Sequence, residues 1–360
     1  MSFAITLGIG VVVSLILFAG PLFFAKVLQA PVYLQDLTSQ YIGIVGSGTI
    51  VMASVLVLST VIRSTGNTKG PMLVALGMNL VHIAGNYMFI FGAYGVPKLG
   101  LTGVAISTVG SRFIAALALY WIYRQSFAAP IRLRDYVRCN MRLLSEVARV
   151  GFPMALGAAS WTISQVVLFS MVATMGAEQL AARTYLNTME SFSFTAGWAF
   201  AMAVQIQVAT FFGAGETDRA FKSAYWALLW GEIVVVVNTL ILFLFGKDIL
   251  SMFTSNSDII KLGVGILVFD LILQPLKMAN MPMNNALNAV GDSRYVMIVS
   301  MISMWGVAVA GTYVFGLAFG WLVYGVYVAM IADEAIRAFI VHKRWFSRKY
   351  IPKQETAISA

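Results

Sequence analysis

Two carboxylates stand in the middle of long apolar segments of this sequence. Asp270 lies about 12 residues into the segment 258–285, and Glu190 lies some ten residues into the segment 180–212. If such segments cross a lipid bilayer, an ionised group at that depth costs several kcal/mol and needs either a partner or a function. Asp270 therefore has two interpretations. It binds a proton or cation, or it is a structural aspartate hydrogen-bonded to a neighbouring helix.

Glu190 has one basic residue in its own segment. Arg183 precedes it by seven positions, which places the two on one helix face but roughly 10 Å apart along the axis. Glu190 could bind a proton or cation, or it could form a structural pair with a residue of another helix. Both interpretations stay open.

Neutral polar residues form a second group of candidates. Asn79, His82 and Asn86 follow one another at i, i+3 and i+7, which places them on one face of a helix. His82 could titrate near neutral pH, although a lone histidine of this kind can equally be a hydrogen-bonded packing residue. Trp161 and Gln165, one helical turn apart, could line a path for an organic compound or could simply pack in a wall.

The composition shows what must position these residues. Of the 360 residues, 59% are hydrophobic and 11% are charged, and the mean hydropathy is +0.83. Apolar runs of about 20 residues, the length that crosses a bilayer as an α-helix, recur along the chain. The sequence therefore predicts an all-α, polytopic membrane protein with ten transmembrane helices. The predicted spans are 3–28, 36–62, 71–93, 100–124, 150–175, 180–212, 219–245, 258–285, 294–315 and 320–342.

Several classes of site are excluded by residue usage. The single cysteine, Cys139, rules out an internal disulfide or a thiolate metal cluster, and His82 and His342 are too few for a histidine-based zinc site. No His/Asp, Ser/Lys or HExxH grouping occurs within the apolar segments. We therefore expect neither an enzyme nor a bound cofactor or metal.

The net charge of +9 could suggest nucleic-acid binding, but its distribution favours a membrane topology instead. Sixteen Lys and Arg residues fall in the tail and in the loops after the second, fourth, sixth and eighth spans. Four (Lys26, Lys98, Lys247 and Lys261) fall in the opposite loops. By the positive-inside rule, the first set is cytoplasmic. The sequence thus predicts a cell-membrane protein with both termini in the cytoplasm and no nucleic-acid partner.

Two polar hinges suggest an internal duplication. A shift of 225 positions aligns the hinge 61–72 with 288–294, so that Gly66 meets Gly291 and Asn67 meets Asp292. The shift also matches 1–125 with 226–350, helix for helix. Because one period contains six crossings, the two copies would share their orientation in the membrane, as in parallel-repeat transporters.

The duplication predicts the domain organisation. We expect a four-helix lobe at 1–125, a basic linker at 126–149, a six-helix lobe at 150–345 and a cytoplasmic tail at 346–360. The linker is either an amphipathic helix at the headgroups or a solvated connection. The spans within 150–212 have no counterpart before Met1, so the chain is expected to be a 4 + 6 part of a 6 + 6 arrangement of pseudo-symmetric lobes.

Several ordered motifs resemble those of the multidrug and toxic compound extrusion (MATE) transporters. They are RSTGNTKGPM (63–72), the segment from Asn79 to YMFIFG (87–92), GLTGVAIST (100–108), VGFP (150–153), LAAR (180–183) leading to Glu190, and GAG (213–215). The resemblance covers essentially the whole chain, with the family's first two helices missing.

This resemblance implies a two-lobed antiporter that exports organic, often cationic, compounds in exchange for Na⁺ or H⁺. It also implies that Asp270 helps to bind the coupling cation, because a carboxylate in this helix has that role in the family. Glu190 is the second candidate for binding that cation. Two positions depart from the family pattern. Asn86 stands where many members carry Asp, and Trp161, eight residues after Pro153, stands where some carry Glu. We expect an organic small-molecule substrate, the lipid bilayer as surroundings and a monomer.

Two other functions are kept as alternatives. A lipid-linked oligosaccharide flippase of the wider superfamily would need more Arg and Lys inside the helices, to meet a pyrophosphate. A transport-inactive truncated fragment would account for the missing pair of helices.

Overall fold

The computed structural model describes residues 2–27, 32–126 and 141–350. Within these ranges all regular structure is helical, and no strand occurs, so the predicted all-α class is confirmed. The chain divides into two compact units, Met1–Val147 and Ala148–Ala360. Most of the predicted linker, residues 127–140, and most of the predicted tail, residues 351–360, lie outside the described residues.

Among the described residues of the N-terminal unit, six α-helices precede the start of helix α7 (Met141–Thr174). They are α1 (Ser2–Ala19), α2 (Pro21–Val27), α3 (Gln35–Ser47), α4 (Thr49–Ser64), α5 (Lys69–Phe91) and α6 (Gly100–Ser126). The predicted span 3–28 is thus divided at Gly20, where Pro21 opens a new helix with the fixed φ that suits a first turn. The predicted span 36–62 is likewise a pair, α3 and α4, bent by 41°.

The two hinges predicted from the sequence have the expected turn geometry. Gly66 has φ +86° and Gly291 has φ +85°, values in the left-handed region that glycine adopts without steric cost. In the first hinge, Asn67 Oδ1 accepts a hydrogen bond from Gly70 N at 3.0 Å and so caps the start of α5. In the second, Asp292 N donates to Leu287 O at 2.9 Å.

The C-terminal unit is larger and contains most of α7 and all later elements. They are α7 (Met141–Thr174), α8 (Ala177–Gly213), α9 (Thr217–Leu244), α10 (Gly246–Phe253), α11 (Ser257–Ala289), α12 (Ser293–Ser303), two π-helical segments (Met304–Val309 and Thr312–Ala318) and α13 (Leu322–Phe346). The predicted span 294–315 is therefore α-helical only in its first half.

Helix α11 is central to this unit, since it packs against α8, α9 and α13. At one end, the buried residues around it include Leu186, Leu273 and Tyr327. At the other end, they include Met283 and Trp345. This helix carries the carboxylate Asp270 and also a row of amides, so its packing decides where those polar groups lie.

Proline lacks the backbone N–H and usually interrupts a helix, so Pro275 and Pro282 predict a break in α11, but none occurs. Both prolines lie inside α11, which runs unbroken from Ser257 to Ala289. Each proline removes one backbone hydrogen bond. Neighbouring helices pack against several sides of α11. Burial of its apolar faces offsets the lost hydrogen bonds and keeps the helix continuous.

Each of the ten predicted spans corresponds to a helix or to consecutive helical segments. Seven helices of the described residues are long and apolar enough to cross a membrane, and an eighth span is added if α3 and α4 count as one. The remaining two segments contain the shorter α1 and the more charged α13, which carries Asp333, Glu334 and Arg337. The protein is a helical, polytopic membrane protein.

One glycine of α13 lies where two backbones meet. A Cβ on Gly325 would lie 2.5 Å from the backbone N of Gly316 and 2.5 Å from the backbone C of Phe315. Backbone atoms cannot move aside as a flexible side chain does. We therefore expect Gly325→Ala to destabilise the protein by about 1–3 kcal/mol, the usual range for overpacking, measured as a lower thermal unfolding midpoint in detergent.

Gly306→Ala is the matched control, because a Cβ at Gly306 has no atom within 4 Å among those of the described chain. Its unfolding midpoint should stay close to that of the unmodified protein. Equal stability of the two variants would contradict the close approach of α13 to the π-helical segment.

Candidate functional site

The C-terminal unit contains a cavity of about 740 Å³. Its lining comes from α7, α8, α11, α12, the first π-helical segment and α13. This volume falls within the range of pockets that hold drug-sized molecules. The predicted cavity residues Trp161 and Gln165 both line it, and so does Glu190. Asp270 is not among its lining residues.

Three aromatic side chains form one wall of this cavity. The rings of Trp161 and Phe194 stack with centroids 5.8 Å apart, and those of Phe194 and Trp198 stack at 6.4 Å. All three residues line the cavity and all remain substantially exposed. Such a surface can stack on a flat organic ring, and indole and phenyl faces also attract cations.

Glu190 is surrounded by hydrogen-bond donors. Its Oε1 accepts from Arg183 Nη1 at 2.8 Å and from Tyr327 Oη at 2.5 Å, and its Oε2 accepts from Lys277 Nζ at 3.0 Å. Glu190 and Arg183 are both about 4% exposed. Three donors thus compensate for removing this carboxylate from water.

The contact between Arg183 and Glu190 spans two turns of one helix. Seven positions along α8 correspond to roughly 10 Å along the axis, and the long side chain of Arg183 bridges this distance. Arg183 also makes a cation–π contact with Tyr327 on α13, because its guanidinium carbon lies 5.1 Å from the centroid of that ring. The partners of Glu190 therefore come from its own helix and from α11 and α13.

Asp270 is buried in α11 and lies away from the cavity surface. It is 1% exposed, and its Oδ1 accepts a hydrogen bond from Gln274 Nε2 at 3.0 Å. Its Oδ2 is also buried and accepts no hydrogen bond from any described residue. The expected alternative, a bond to a neighbouring helix, is replaced by a bond to the next turn of the same helix. Asp270, Gln274 and Lys277 follow one another at i, i+4 and i+7.

A second ionic cluster lines the cavity from α13. One Arg337 nitrogen, Nη2, lies 2.6 Å from both Asp333 Oδ2 and Glu334 Oε1. Ser303 Oγ donates to Asp333 Oδ1 at 2.5 Å, and Asn280 Nδ2 donates to Glu334 Oε2 at 2.6 Å. These bonds tie α13 to α12 and to α11.

The remaining candidates lie in the N-terminal unit. His82 Nε2 lies 3.1 Å from Thr108 Oγ1 and 3.3 Å from Asn86 Nδ2. The predicted pair His82 and Asn86 is therefore in contact, whereas Asn79 is exposed. Asn86 Oδ1 is buried and accepts no hydrogen bond from a described residue.

Four features of these sites are not among the residues predicted from the sequence: Thr108 and, in the C-terminal unit, Lys277, Tyr327 and the cluster on α13. The charged cluster had a readable signal, because Asp333 and Arg337 are spaced i, i+4 within an apolar segment. The roles of Tyr327 and Thr108 had no such signal, since only the packing of separate helices brings them to Glu190 and His82.

Comparison with known proteins agrees with this architecture. The MatE family model matches residues 1–88 and 153–314 of the chain. An uncharacterized transporter of Bacillus subtilis, YisQ, is 31% identical over 313 residues, which is 87% of this chain and 69% of that protein. A probable multidrug resistance protein of Thermotoga maritima, NorM, is 25% identical over 332 residues, covering 89% of this chain and 70% of the relative.

Solved structures show the same fold. One, described as the outward-facing conformation of a multidrug resistance MATE family transporter of the MOP superfamily, aligns with a TM-score of 0.86 at 18% identity. The alignment covers 96% of this chain and 77% of that one. The helical fold, the cavity and the family match together define a membrane transporter. The chain belongs to the MatE family of transporters, as its sequence motifs predict.

The Glu190 network leads to a stability prediction. Replacing Glu190 by Gln leaves Arg183 and Lys277 without their counter-charge in a buried site. We therefore expect the free energy of unfolding to fall by about 3 kcal/mol or more. Lys277→Met should lower the free energy of unfolding by less, because Arg183 still pairs with the carboxylate of Glu190. Thermal unfolding of the purified protein in detergent measures both effects.

Glu178→Gln serves as the control, because Glu178 lies exposed in the first turn of the same helix. This variant should unfold like the unmodified protein. If Glu190→Gln were as stable as Glu178→Gln, the buried network would contribute no net stability.

Proposed function

We propose that this protein is a cation-coupled exporter of organic compounds in the cell membrane. It would exchange its substrate for Na⁺ or H⁺ and alternate between inward- and outward-facing states. The proposal rests on the burial of Asp270. This residue is a 1% exposed carboxylate with one oxygen free of any described donor, in the helix that also carries cavity residues.

The cavity of the C-terminal unit suits a flat organic substrate. Its aromatic wall offers stacking surface, and its lining also includes five methionines (Met154, Met281, Met297, Met304 and Met330). Thioether side chains adapt to ligands of different shape. The names of relatives such as NorM, a probable multidrug resistance protein, support export of drugs as the substrate class.

Charge balance suggests how the ion could be coupled to substrate movement. Arg183 and Lys277 both pair with Glu190, and Asp270 lies two helical turns before Lys277 on α11, so two carboxylates balance two basic groups. A proton or cation bound at Asp270 would leave one positive charge in excess in this group. A conformational state that tolerates this excess better would then be favoured, because a ligand shifts an equilibrium by its differential affinity for the two states.

In the N-terminal unit, we propose that His82 and Asn86, with Thr108, contribute polar groups to the substrate path. The buried Asn86 Oδ1, which lacks a described donor, supports this role. Asn79 is exposed on the same helix and could take part at the mouth of such a path. We further propose that both termini are cytoplasmic and that the protein acts as a monomer.

The alternative of a lipid-linked oligosaccharide flippase has less support. Three basic residues line the cavity (Arg183, Lys277 and Arg337), more than the sequence reasoning expected. Three carboxylates also line it (Glu190, Asp333 and Glu334), so the formal charges of these six residues cancel. A pyrophosphate group would require a positive excess.

Efflux of a fluorescent organic cation such as ethidium, from cells that express the protein, tests the proposal. We expect the unmodified protein to lower cellular dye and Asp270→Asn to slow export at least tenfold, because an amide cannot be protonated or bind a cation as a carboxylate does. Asp258→Asn is the matched control, because Asp258 lies in the first turn of the same helix with its side chain 69% exposed.

Three outcomes distinguish the functional hypotheses. Full export by Asp270→Asn would remove this residue from the mechanism. Export by the unmodified protein that responds to an imposed Na⁺ gradient but not to a pH gradient, or the reverse, would identify the coupling ion. A complete lack of export across a panel of dyes would favour the transport-inactive fragment.

A further inference from the structure

Helix α6, which is long and apolar enough to cross a membrane, carries an arginine near its middle. Arg112 lies 12 residues after Gly100, where the helix begins, and 14 residues before Ser126, where it ends. These separations are about 18 Å and about 21 Å along the axis, so Arg112 lies near the centre of a hydrocarbon layer about 30 Å thick. An arginine close to a helix end can extend its side chain to the headgroups, but this one is too deep to do so. It therefore requires a counter-charge within the membrane.

The guanidinium of Arg112 has no partner among the described residues. It takes part in no hydrogen bond, ion pair or cation–π contact with any of them. The side chain is only partly buried, and none of its nitrogens is among the buried atoms that lack a partner, so each nitrogen keeps accessible surface. A ligand can therefore reach this group. In the C-terminal unit, by contrast, Arg183 and Arg337 lie 2.8 Å and 2.6 Å from carboxylate oxygens.

The described part of the N-terminal unit offers no counter-charge at this depth. From its first residue to the end of α6, the chain contains one acidic residue, Asp36, which is exposed in the first turn of α3. Gln40, one turn further along α3, contacts Thr102 near the start of α6, with 3.3 Å between their side-chain oxygens. Thr102 precedes Arg112 by ten residues, or about 15 Å along the axis. Glu146, the other described carboxylate of this unit, is exposed at the start of α7.

Arg112 shares a helix face with the polar pair of the N-terminal unit. Thr108 precedes it by one turn, and Thr108 Oγ1 lies 3.1 Å from His82 Nε2 of α5. Thr108 and Ala115, on either side of Arg112 along this face, are both buried, whereas Phe113 on the next face is 53% exposed. The guanidinium therefore adds a positive charge to the polar groups that we propose for the substrate path.

The predicted duplication gives Arg112 a counterpart that lines a cavity. A shift of 222 positions, which matches Gly103 with Gly325, also matches Arg112 with Glu334. Glu334 lines the cavity of the C-terminal unit, and part of its side chain stays exposed. The equivalent position in the N-terminal unit is thus basic instead of acidic. A ligand group that Arg112 attracts must carry a negative charge.

We propose that Arg112 forms a subsite of the N-terminal unit for the anionic group of an amphipathic organic compound. A carboxylate, sulfonate or phosphate would supply the missing counter-charge, and the planar guanidinium can donate two parallel hydrogen bonds to such a group. A free organic acid and a lipid-linked phosphate share this chemistry. The inference rests on the proposed function and deepens it, because it adds compounds with an acidic group to the substrates of the same transporter.

Binding to the purified full chain in detergent, without any ion gradient, tests the subsite. The probes are 2-naphthalenesulfonate and 2-naphthalenesulfonamide, which share one aromatic body and one sulfonyl group and differ in charge. Equilibrium dialysis against protein-free micelles measures binding and corrects for partition of each probe into detergent. We expect the sulfonate to bind about tenfold more tightly than the sulfonamide, the effect of one charge-assisted contact. The cavity of the C-terminal unit, whose charged lining residues cancel formally, gives no such preference.

Arg112→Gln removes the positive charge and should bind the two probes equally, with the affinity for the sulfonamide unchanged. Because this charge has no partner among the described residues, the variant should unfold at the same temperature as the unmodified protein or at a higher one. Arg124→Gln is the matched control, because Arg124 is exposed in the last turn of the same helix. The control variant should keep the preference for the sulfonate.

Equal binding of the two probes to the unmodified protein would overturn the inference without any variant. A sulfonate preference that persists in Arg112→Gln would also overturn it. A lower unfolding temperature of this variant would do the same, because Arg112 would then pair with an acidic side chain and not with a ligand.

Two further measurements separate the source of the anion and the proposed function from the subsite itself. Displacement of the sulfonate by a polyprenyl phosphate, but not by the polyprenyl alcohol, would support the subsite and identify its anion as lipid-linked. Displacement by 2-naphthoate, but not by the polyprenyl phosphate, would support it for a free organic acid. Loss of efflux together with an intact sulfonate preference would contradict the proposed function while leaving the subsite in place.

Discussion

Burial of the Glu190 carboxylate is the constraint on which the C-terminal unit depends. This charge lies on α8, and its compensating donors come from Arg183 on the same helix, Lys277 on α11 and Tyr327 on α13. A carboxylate in a low-dielectric interior is tolerated only when its lone pairs are occupied in this way. The network thus joins three helices at one point and places Lys277 at the edge of the cavity.

Helix α11 carries polar groups of two kinds, those that bond to other helices and those that have no described partner. Lys277 and the amide nitrogen of Asn280 bond to carboxylates of α8 and α13 and so hold the unit together. Asp270 Oδ2 and the amide oxygens of Asn280, Asn284 and Asn288 lack described partners. The apolar faces of the same helix, with Leu273 and Met283, pack in the core. The same helix thus carries both polar groups that are paired across the unit and polar atoms that have no partner among the described residues.

Close backbone approaches recur at positions that the predicted duplication relates. A shift of 222 positions, three fewer than the shift that aligns the hinges, matches Gly103 of the N-terminal unit with Gly325 of the C-terminal unit. In each unit a Cβ at this glycine would collide with a neighbouring segment, the side chain of Phe89 for Gly103 and the backbone of Phe315 for Gly325. The left-handed Gly66 and Gly291 correspond in the same way. These matches support the duplication, which stays a prediction.

The amino-acid sequence alone determined the class of this protein. Apolar runs of membrane-spanning length, hinge glycines at Gly66 and Gly291, and the ordered family motifs are local features, so they can be read without contacts. The carboxylates Asp270 and Glu190 were also visible, because an ionised side chain in an apolar run is conspicuous on its own.

Only the tertiary structure decided what surrounds those residues. The partners of Glu190 are separated from it by 87 residues at Lys277 and by 137 at Tyr327, and no local pattern relates such distant positions. The prolines of α11 show that packing can also override a local pattern. Local chemistry predicted a break at Pro275 and Pro282, but packing against neighbouring helices kept the helix continuous.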